Sequence, residues 1–189
     1  MQPCDEKKML DSMIILVDRR EQQTERAKKR YQTFGIPYHK ATLDYGDYSY
    51  NAMFPDGDWL YDESNTVRPC AVIERKMNLD ELANCLTHSR ERFEHEFLRA
   101  KAYEARMILL VEDANWENLK NGRYQSRFNQ NAFSASLCSW LMKYNIQLVF
   151  CKQETSGKLI RELLYWDLRN RIERGDFDIK GYKKGNDSC

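Results

Sequence analysis

Short apolar runs recur along this 189-residue chain, and they constrain its fold more than any other feature. The runs at 13–17, 70–73, 107–111 and 146–150 are rich in Val, Ile and Leu, which predicts buried strands. Segments 38–43 and 48–54 predict two further strands. Helical patterns lie between several of them, so we expect an α/β fold whose central sheet is covered by helices on both faces.

Helices are predicted where apolar residues return at helical spacing. Segment 22–34 predicts a polar helix that ends at Gly35. Asn78 followed by Glu81 three residues later is a capping-box pattern, so a helix is expected to start there. Two more helices are predicted, one with its apolar face at positions 93, 97 and 100, and one across 133–144.

Turn and cap signals complete the outline of the fold. Pro-Asp-Gly-Asp at 55–58 predicts a turn after which 59–62 returns as a hairpin, so the sheet should be mixed. The polar stretch 115–131 predicts a loop with a helical turn. Thr155 or Ser156 is expected to cap a last long helix. Residues 1–174 therefore predict one domain, and residues 175–189 a flexible polar tail.

Composition places the chain among ordinary soluble proteins, with 42% hydrophobic and 31% charged residues. No apolar run approaches the ~20 residues that cross a membrane. The first eight residues are polar and do not form a secretory signal, so a cytoplasmic location is expected. The six cysteines form no Cys-x-x-Cys pair, which predicts buried free thiols rather than a zinc site.

Charge is unevenly distributed although the net charge is only +1. Residues 41–80 hold three Lys or Arg against eight Asp or Glu, and residues 121–189 hold twelve against seven. An acidic segment can hold a divalent cation, and a basic one can meet phosphates. Charge also fluctuates along any chain, so this asymmetry alone does not establish a nucleic-acid partner.

Acidic residues stand where predicted strands meet loops. Asp18 follows the first apolar run, Asp47 precedes the strand at 48–54, and Glu74 follows the run at 70–73. In an extended strand residues two apart point the same way, so Glu74 and Lys76 should share one face and Arg75 should lie on the other.

These residue types suit the hydrolysis of a phosphodiester bond. Carboxylates hold Mg²⁺ or Mn²⁺, and the metal polarises a phosphate and lowers the pKa of a bound water. A neighbouring lysine stabilises developing charge or orients the water. Each piece also has an ordinary interpretation as a turn residue or a solvated strand end.

The order of these motifs resembles the nuclease domain of the XPF/MUS family of structure-specific endonucleases. That family has Gly-Asp, a variable gap, then Glu-Arg-Lys-x-x-x-Asp, and it belongs to the PD-(D/E)XK restriction-endonuclease-like superfamily. The resemblance covers about residues 13 to 172. The matching blocks here are Val17-Asp18-Arg19-Arg20-Glu21, Gly46-Asp47-Tyr48 and Ile73-Glu74-Arg75-Lys76 followed by Asp80.

The resemblance implies a set of roles for individual residues. Asp18, Asp47 and Glu74 match the metal-binding acids, so their carboxylates should share one cation, with the catalytic Lys76 beside them. A divalent Mg²⁺ or Mn²⁺ ion is the implied cofactor. Further matches are the supporting motif residues Glu21, Arg75 and Asp80, and an arginine, Arg92, that precedes an aromatic residue and could reach phosphate.

Other contacts with DNA are expected outside the metal site. Arg123 and Arg127 alternate with Tyr124 and Phe128, and such a pattern can pair arginine with phosphate and stack aromatic rings on unpaired bases. An ordinary surface loop explains the same residues equally well. The lysines of the tail, which would attract phosphate or simply be solvated, are Lys180, Lys183 and Lys184.

Members of the family commonly carry a tandem helix-hairpin-helix module after the nuclease domain, and some carry a helicase-like region before it. The predicted elements of this sequence match neither module, so we expect a nuclease core on its own. The expected activity is metal-dependent cleavage of branched, flapped or distorted DNA, with roles in DNA repair or recombination. The alternatives are a resolvase or restriction-like enzyme, or a catalytically inactive DNA-binding or scaffold subunit. Whether it forms a homodimer or joins a partner subunit is left open.

Overall fold

A six-stranded sheet lies at the centre of the computed structural model, which describes residues 3–177. Its order is β2-β1-β3-β4-β5-β6, so the third strand lies between the first and the fourth. The strands are β1 Ile14–Asp18, β2 Tyr38–Ala41, β3 Tyr48–Asn51, β4 Ala71–Lys76, β5 Arg106–Glu112 and β6 Gln147–Cys151. All six were predicted, four from apolar runs and two from segments 38–43 and 48–54.

The sheet is mixed, as predicted, but for a different reason than the one given by the sequence. β3 is antiparallel to both of its neighbours, β1 and β4, while β1 and β2 are parallel and β4, β5 and β6 are parallel. The β3–β4 ladder has a single paired register, Tyr48 opposite Ile73. The chain does turn at 55–58 and return antiparallel, as predicted, but the hairpin is short. Met53 bridges Trp59, the Phe54 N–H donates to the Asp58 carbonyl oxygen at 2.8 Å, and the Leu60 N–H donates to the Ala52 carbonyl oxygen at 2.8 Å. Segment 59–62 adds no strand to the sheet.

Seven helices surround the sheet in the described part of the chain. The first was not predicted, because its sequence is mostly polar and, among its described side chains, Met9 is the one apolar side chain that is fully buried. The helices are α1 Pro3–Asp11, α2 Glu25–Gln32, α3 Leu79–Leu86, α4 Arg90–Ala102, α5 Trp116–Lys120, α6 Gln130–Tyr144 and α7 Gln153–Arg174.

Helix caps show how local sequence sets these boundaries. The Asn78 side chain accepts a hydrogen bond from the Glu81 backbone N–H at 2.9 Å, which confirms the predicted start of α3. The last helix starts earlier than predicted, because Lys152 is its N-cap. Thr155 and Ser156 instead lie in the first turn, where their hydroxyls donate to backbone carbonyls.

Two separate apolar cores cover the two faces of the sheet. α1, α2 and α7 pack on the first face, and α3, α4 and α6 pack on the second. Alternation along β4 follows from its pleat, with Ile73 in the first core and Val72 in the second. A central sheet with helices on both faces is therefore confirmed.

Several expectations concern cysteines, the tail and membranes. Cys70, Cys85, Cys138 and Cys151 are free thiols, as predicted, but their burial varies. Cys85 is buried, Cys70 and Cys151 are half-buried, and Cys138 is exposed because it lies on the outer face of α6. The Cys4 side chain and Cys189 lie outside the described residues, as do Lys180, Lys183 and Lys184. The proposed division at residue 174 stays a prediction, although α7 does end there. Among residues 3–177, no helix is long and apolar enough to cross a membrane.

We predict that Gly157→Ala destabilises the protein by about 1–3 kcal/mol, the usual cost of overpacking a tight contact. A Cβ on this α7 residue would lie 2.0 Å from Thr33 Oγ1 and 2.4 Å from the Arg30 carbonyl oxygen. Glycine-to-alanine changes inside helices ordinarily stabilise, so the sign of the effect is diagnostic. Urea unfolding measures it, with the exposed Lys158→Ala in the same helix as control. A more stable Gly157→Ala protein would contradict this packing.

Candidate active site

The predicted acids meet at one edge of the sheet, the edge formed by the ends of the inner strands β1 and β4 and the start of β3, because β3 is antiparallel to both neighbours. Asp18 ends β1 and Glu74 lies near the end of β4, whereas Asp47 immediately precedes β3. The start of an antiparallel strand lies beside the ends of the strands that flank it. The Asp18 N–H donates to the Asp47 carbonyl oxygen at 2.9 Å, and the Asp47 N–H donates to the Ile73 carbonyl oxygen at 2.9 Å.

Gly46 makes this approach possible. Its φ of +72° lies in the left-handed region, and a Cβ there would come within 2.1 Å of Val72 Cγ2. Only glycine can therefore bring the chain into β3 so close to β4. The Asp47 carboxylate is held in turn by the Arg75 backbone N–H, which donates to Oδ2 at 2.8 Å.

An open cleft with about 640 Å³ of solvent space lies over this edge. Its lining includes seven of the ten residues singled out from the sequence, and it lacks three, Asp80, Arg123 and Arg127. The seven that it brings together are Asp18, Glu21, Asp47, Glu74, Arg75, Lys76 and Arg92.

Glu74 and Lys76 project from the same face of β4, as the strand pattern predicts. The Lys76 ammonium donates to Glu74 Oε1 at 2.5 Å and lies 4.7 Å from the centre of the Phe93 ring. Both side chains are buried. Glu74 Oε2 is also buried, yet it accepts no hydrogen bond from the described residues. This oxygen is therefore the acceptor that the site leaves unsatisfied.

Burial and mutual repulsion set the charges of the site. Burial, and next the charge of Glu74, raise the pKa of Asp47 to about 8. Burial likewise raises the pKa of Glu74 to about 7, against the opposing effect of Lys76. Burial lowers the pKa of the Lys76 ammonium, but the charges of Glu74 and Asp47 outweigh it and hold this pKa above its ordinary value.

Asp18 is engaged differently from the other two acids. Its Oδ1 accepts from the Arg20 backbone N–H at 2.8 Å and from Arg20 Nε at 2.7 Å, and its Oδ2 accepts from the Leu43 N–H at 2.8 Å. Both oxygens are thus used to fix the surrounding loops. Within residues 3–177, no three His, Cys, Asp or Glu side chains stand in position to hold a metal ion. That Asp18, Asp47 and Glu74 share one cation stays a prediction.

Arg75 lies on the opposite face of β4, in a buried cluster of charges. Its guanidinium is 3.3 Å from Glu21 Oε1 and 3.5 Å from Glu112 Oε2. Arg30 joins the same two acids, with Nη1 at 3.3 Å from Glu21 Oε1 and Nε at 3.0 Å from Glu112 Oε1. The Tyr48 hydroxyl donates to Glu21 at 2.8 Å. Glu21 and Arg75 therefore brace the strand that carries the site.

Sequence reasoning missed two members of this cluster. Glu112 is fully buried, and although burial opposes it, Arg30 lowers the pKa of its carboxyl. The signal was available for Glu112, because it follows an apolar run just as Asp18 and Glu74 do. No such signal marks Arg30, which lies among several basic residues of a polar helix.

A further acid of the cleft, Glu96, was also missed. It lines the cleft from α4 and faces Glu74 closely enough to raise the pKa of that carboxyl. Arg92, His95 and Arg99 line the cleft from the same helix. With Glu96 included, these four residues are spaced by three, one and three positions, which is the spacing of one helix face. This signal could have identified Glu96.

The loop at 121–128 differs from the sequence-based expectation. Tyr124 and Phe128 do not project towards solvent to stack on bases, because their rings pack against Phe133, each at 5.3 Å between centres. Arg123 and Arg127 are exposed. The interleaved pattern thus reflects alternation between core and solvent.

Comparison with known proteins finds similarity in sequence and in fold. The ERCC4 domain family model matches residues 17–163. XPF from Aeropyrum pernix has a similar structure, with a TM-score of 0.57 and 18% sequence identity, covering 86% of this chain and 69% of that one. XPF from Aeropyrum pernix in complex with DNA gives a TM-score of 0.56 at 18% identity, covering 88% and 68%.

At this level of identity the structural likeness shows the fold, and it confirms the predicted restriction-endonuclease-like class. A comparison with curated proteins found no match. The family model begins at the last residue before Asp18 and includes every motif quoted from the sequence, which confirms the resemblance to XPF-type nuclease domains. This chain therefore belongs to the ERCC4 domain family.

Proposed function

We propose that this protein is a metal-dependent endonuclease that hydrolyses phosphodiester bonds in branched, flapped or distorted DNA. The observation that carries the proposal is the meeting of Asp47, Glu74 and Lys76 in one open cleft. The similar XPF structure in complex with DNA supports DNA as the substrate. Association with a second copy or a partner subunit stays a prediction.

The chemistry of the site fits a divalent cation. Asp47 and Glu74 offer carboxylate oxygens, which Mg²⁺ and Mn²⁺ prefer, and Glu74 Oε2 is buried without a hydrogen bond. The pKa values of both carboxyls are raised, so the site disfavours two negative charges side by side. A bound cation would offset this unfavourable energy. Asp18 would join them only after the Arg20 guanidinium leaves its carboxylate.

The cation, when bound, would polarise the phosphate and lower the pKa of a water. Lys76 supplies a fixed positive charge next to the same place. Its ammonium is buried, held in the charged form by Glu74 and Asp47, and restricted in position by the Phe93 ring. A preorganised charge of this kind stabilises charge that develops at the phosphate during the reaction.

The rim of the cleft suits a phosphate backbone. Arg92 and Arg99 line the cleft from α4, and Arg20 lines it from the loop after β1. The Arg20 side chain is 60% exposed although it contacts Asp18. Arginine contacts with phosphate position DNA without reading its sequence, which suits an enzyme that recognises the shape of its substrate.

Stability in the absence of metal should depend on Asp47. The unfolded chain releases the Asp47 proton near pH 4, whereas the folded protein keeps it until about pH 8. The wild type should therefore lose stability relative to Asp47→Asn as pH rises from about 4 to about 8. Urea unfolding of both proteins in a chelator measures the difference. A difference that grows in the opposite direction would show that the folded-state pKa is not raised.

A divalent cation should raise the melting temperature through Asp47. With Mn²⁺ at a hundred times its dissociation constant, linkage gives about 2.7 kcal/mol. For a domain of this size that corresponds to a shift of roughly 5–10 °C. Asp47→Asn should lose most of the shift. Glu117→Gln, an exposed acid on α5, should keep it and serves as control. Equal shifts in wild type and Asp47→Asn would exclude Asp47 as a ligand.

Cleavage tests the proposed function directly. We expect the wild type to cut labelled flap, fork or four-way-junction DNA faster than plain duplex in Mg²⁺ or Mn²⁺, and not to cut in a chelator. Lys76→Ala should lose on the order of a hundredfold or more in single-turnover rate, because it removes one preorganised charge. Its affinity for the same DNA should change much less, since phosphate contacts elsewhere remain.

Controls separate the outcomes of this experiment. Lys158→Ala removes an exposed lysine on α7 and should cleave as the wild type does. Cleavage by Lys76→Ala within a few-fold of wild type would remove Lys76 from catalysis. A wild type that binds these DNAs but cuts none of them under any metal condition would instead support an inactive binding subunit.

A further inference from the structure

We propose that Asp80, the last residue of the Glu-Arg-Lys-x-x-x-Asp motif, is a positioning residue that acts through the loop at 121–128. In this proposal its carboxylate fixes the loop so that Arg123 and Arg127 contact the DNA backbone beside the cleft. The inference rests on the proposed function, because DNA is the ligand in both.

The contact between Asp80 and the loop is specific. One oxygen, Oδ1, accepts from the backbone N–H groups of Gln125 and Ser126, both at 2.7 Å. Hydrogen bonds from N–H groups to a carboxylate are among the stronger ones in proteins. Asp80 does not line the cleft, whereas its neighbour Glu81 does. The carboxylate therefore ties the loop to the edge of the site without facing the reacting groups.

The rest of the loop is built to display its arginines. Tyr124 and Phe128 turn inwards onto Phe133, and the Tyr124 hydroxyl donates to the Phe128 carbonyl oxygen at 2.7 Å. Arg123 and Arg127 each directly precede one of these aromatic residues and are exposed, so their side chains face solvent. The aromatic side chains anchor the ends of the loop, and Asp80 holds its middle.

Both arginines have charge to offer. Neither forms an ion pair with any acid among residues 3–177, whereas Arg20, Arg26, Arg30 and others of the cleft do. An exposed arginine on a fixed backbone loses less conformational entropy when it binds phosphate than one on a free loop. A fixed pair of such arginines is therefore a phosphate-binding surface next to the cleft.

Trypsin cleavage without DNA tests the hold of Asp80 on the loop. Trypsin cuts after Arg123 and Arg127, and only a loosened loop fits its active site. Asp80→Ala should be cut several-fold faster than wild type at these two bonds. Asp80→Asn keeps one carbonyl oxygen for both N–H groups and should stay close to wild type. Melting temperatures show whether each variant is folded before digestion.

DNA binding tests the consequence. Affinity for junction DNA is measured across a range of salt concentrations, where each lost phosphate contact reduces the slope by about 0.9 on duplex segments. The double variant Arg123→Ala, Arg127→Ala and the single variant Asp80→Ala should both bind several-fold more weakly with a reduced slope. Adding Asp80→Ala to the double variant should cause no further loss. The double variant Lys158→Ala, Arg161→Ala is the control for loss of charge. It removes two positive charges from α7, which packs on the other face of the sheet.

The outcomes discriminate between this inference and the proposed function. Additive losses, or an unchanged trypsin pattern in Asp80→Ala, would overturn the positioning role even if the enzyme cuts DNA. An Asp80→Asn protein that keeps the wild-type trypsin pattern but binds DNA as weakly as Asp80→Ala would show that the carboxylate acts on DNA without acting through the loop, which also overturns it. A wild type that binds no DNA would overturn the proposed function and the DNA contact together, while the trypsin result would still decide whether Asp80 holds the loop.

Discussion

The antiparallel placement of β3 between β1 and β4 is the constraint on which the site depends. Backbone hydrogen bonds hold the start of this strand on both sides, from Asp18 to Asp47 and from Asp47 to Ile73. Three acids that are 27 to 29 residues apart in sequence therefore reach one edge of the sheet. A parallel β3 would place Asp47 at the far end, more than the length of a strand from Glu74.

The two faces of β4 have different roles. One face carries a buried charge cluster, and the other carries Glu74 and Lys76 of the candidate site. On one face Arg75 joins Arg30, Glu21 and Glu112 in a buried cluster whose acids are each contacted by more than one arginine. Buried charges are tolerated only with such multiple hydrogen bonds, and breaking one partner is costly. The result is a rigid backing for Glu74 on the other face, which is what a preorganised site requires.

The sequence predicts elements and faces better than it predicts partners. Apolar runs located four of the six strands, and the two-residue period of a strand correctly placed Glu74 and Arg75 on opposite faces of β4. The resemblance to a family added Glu21 and Asp80 but not their contacts. The local sequence shows that Tyr124 alternates with arginines. Only the tertiary fold shows that its ring packs against Phe133. Such long-range contacts depend on how helices cross the sheet, which no local pattern encodes.

The carboxylate of Asp47 occupies a place that a backbone carbonyl would fill in an ordinary ladder. It accepts the Arg75 N–H at the end of a β3–β4 pairing that has a single paired register. Asp47 is thus a component of the sheet as well as of the site. A change in the charge of this side chain therefore alters a hydrogen bond of the β3–β4 pairing, which joins the three N-terminal strands to the three C-terminal strands. The pairing of β3 with β4 and the ionisation of the site are consequently coupled through one oxygen atom, Asp47 Oδ2.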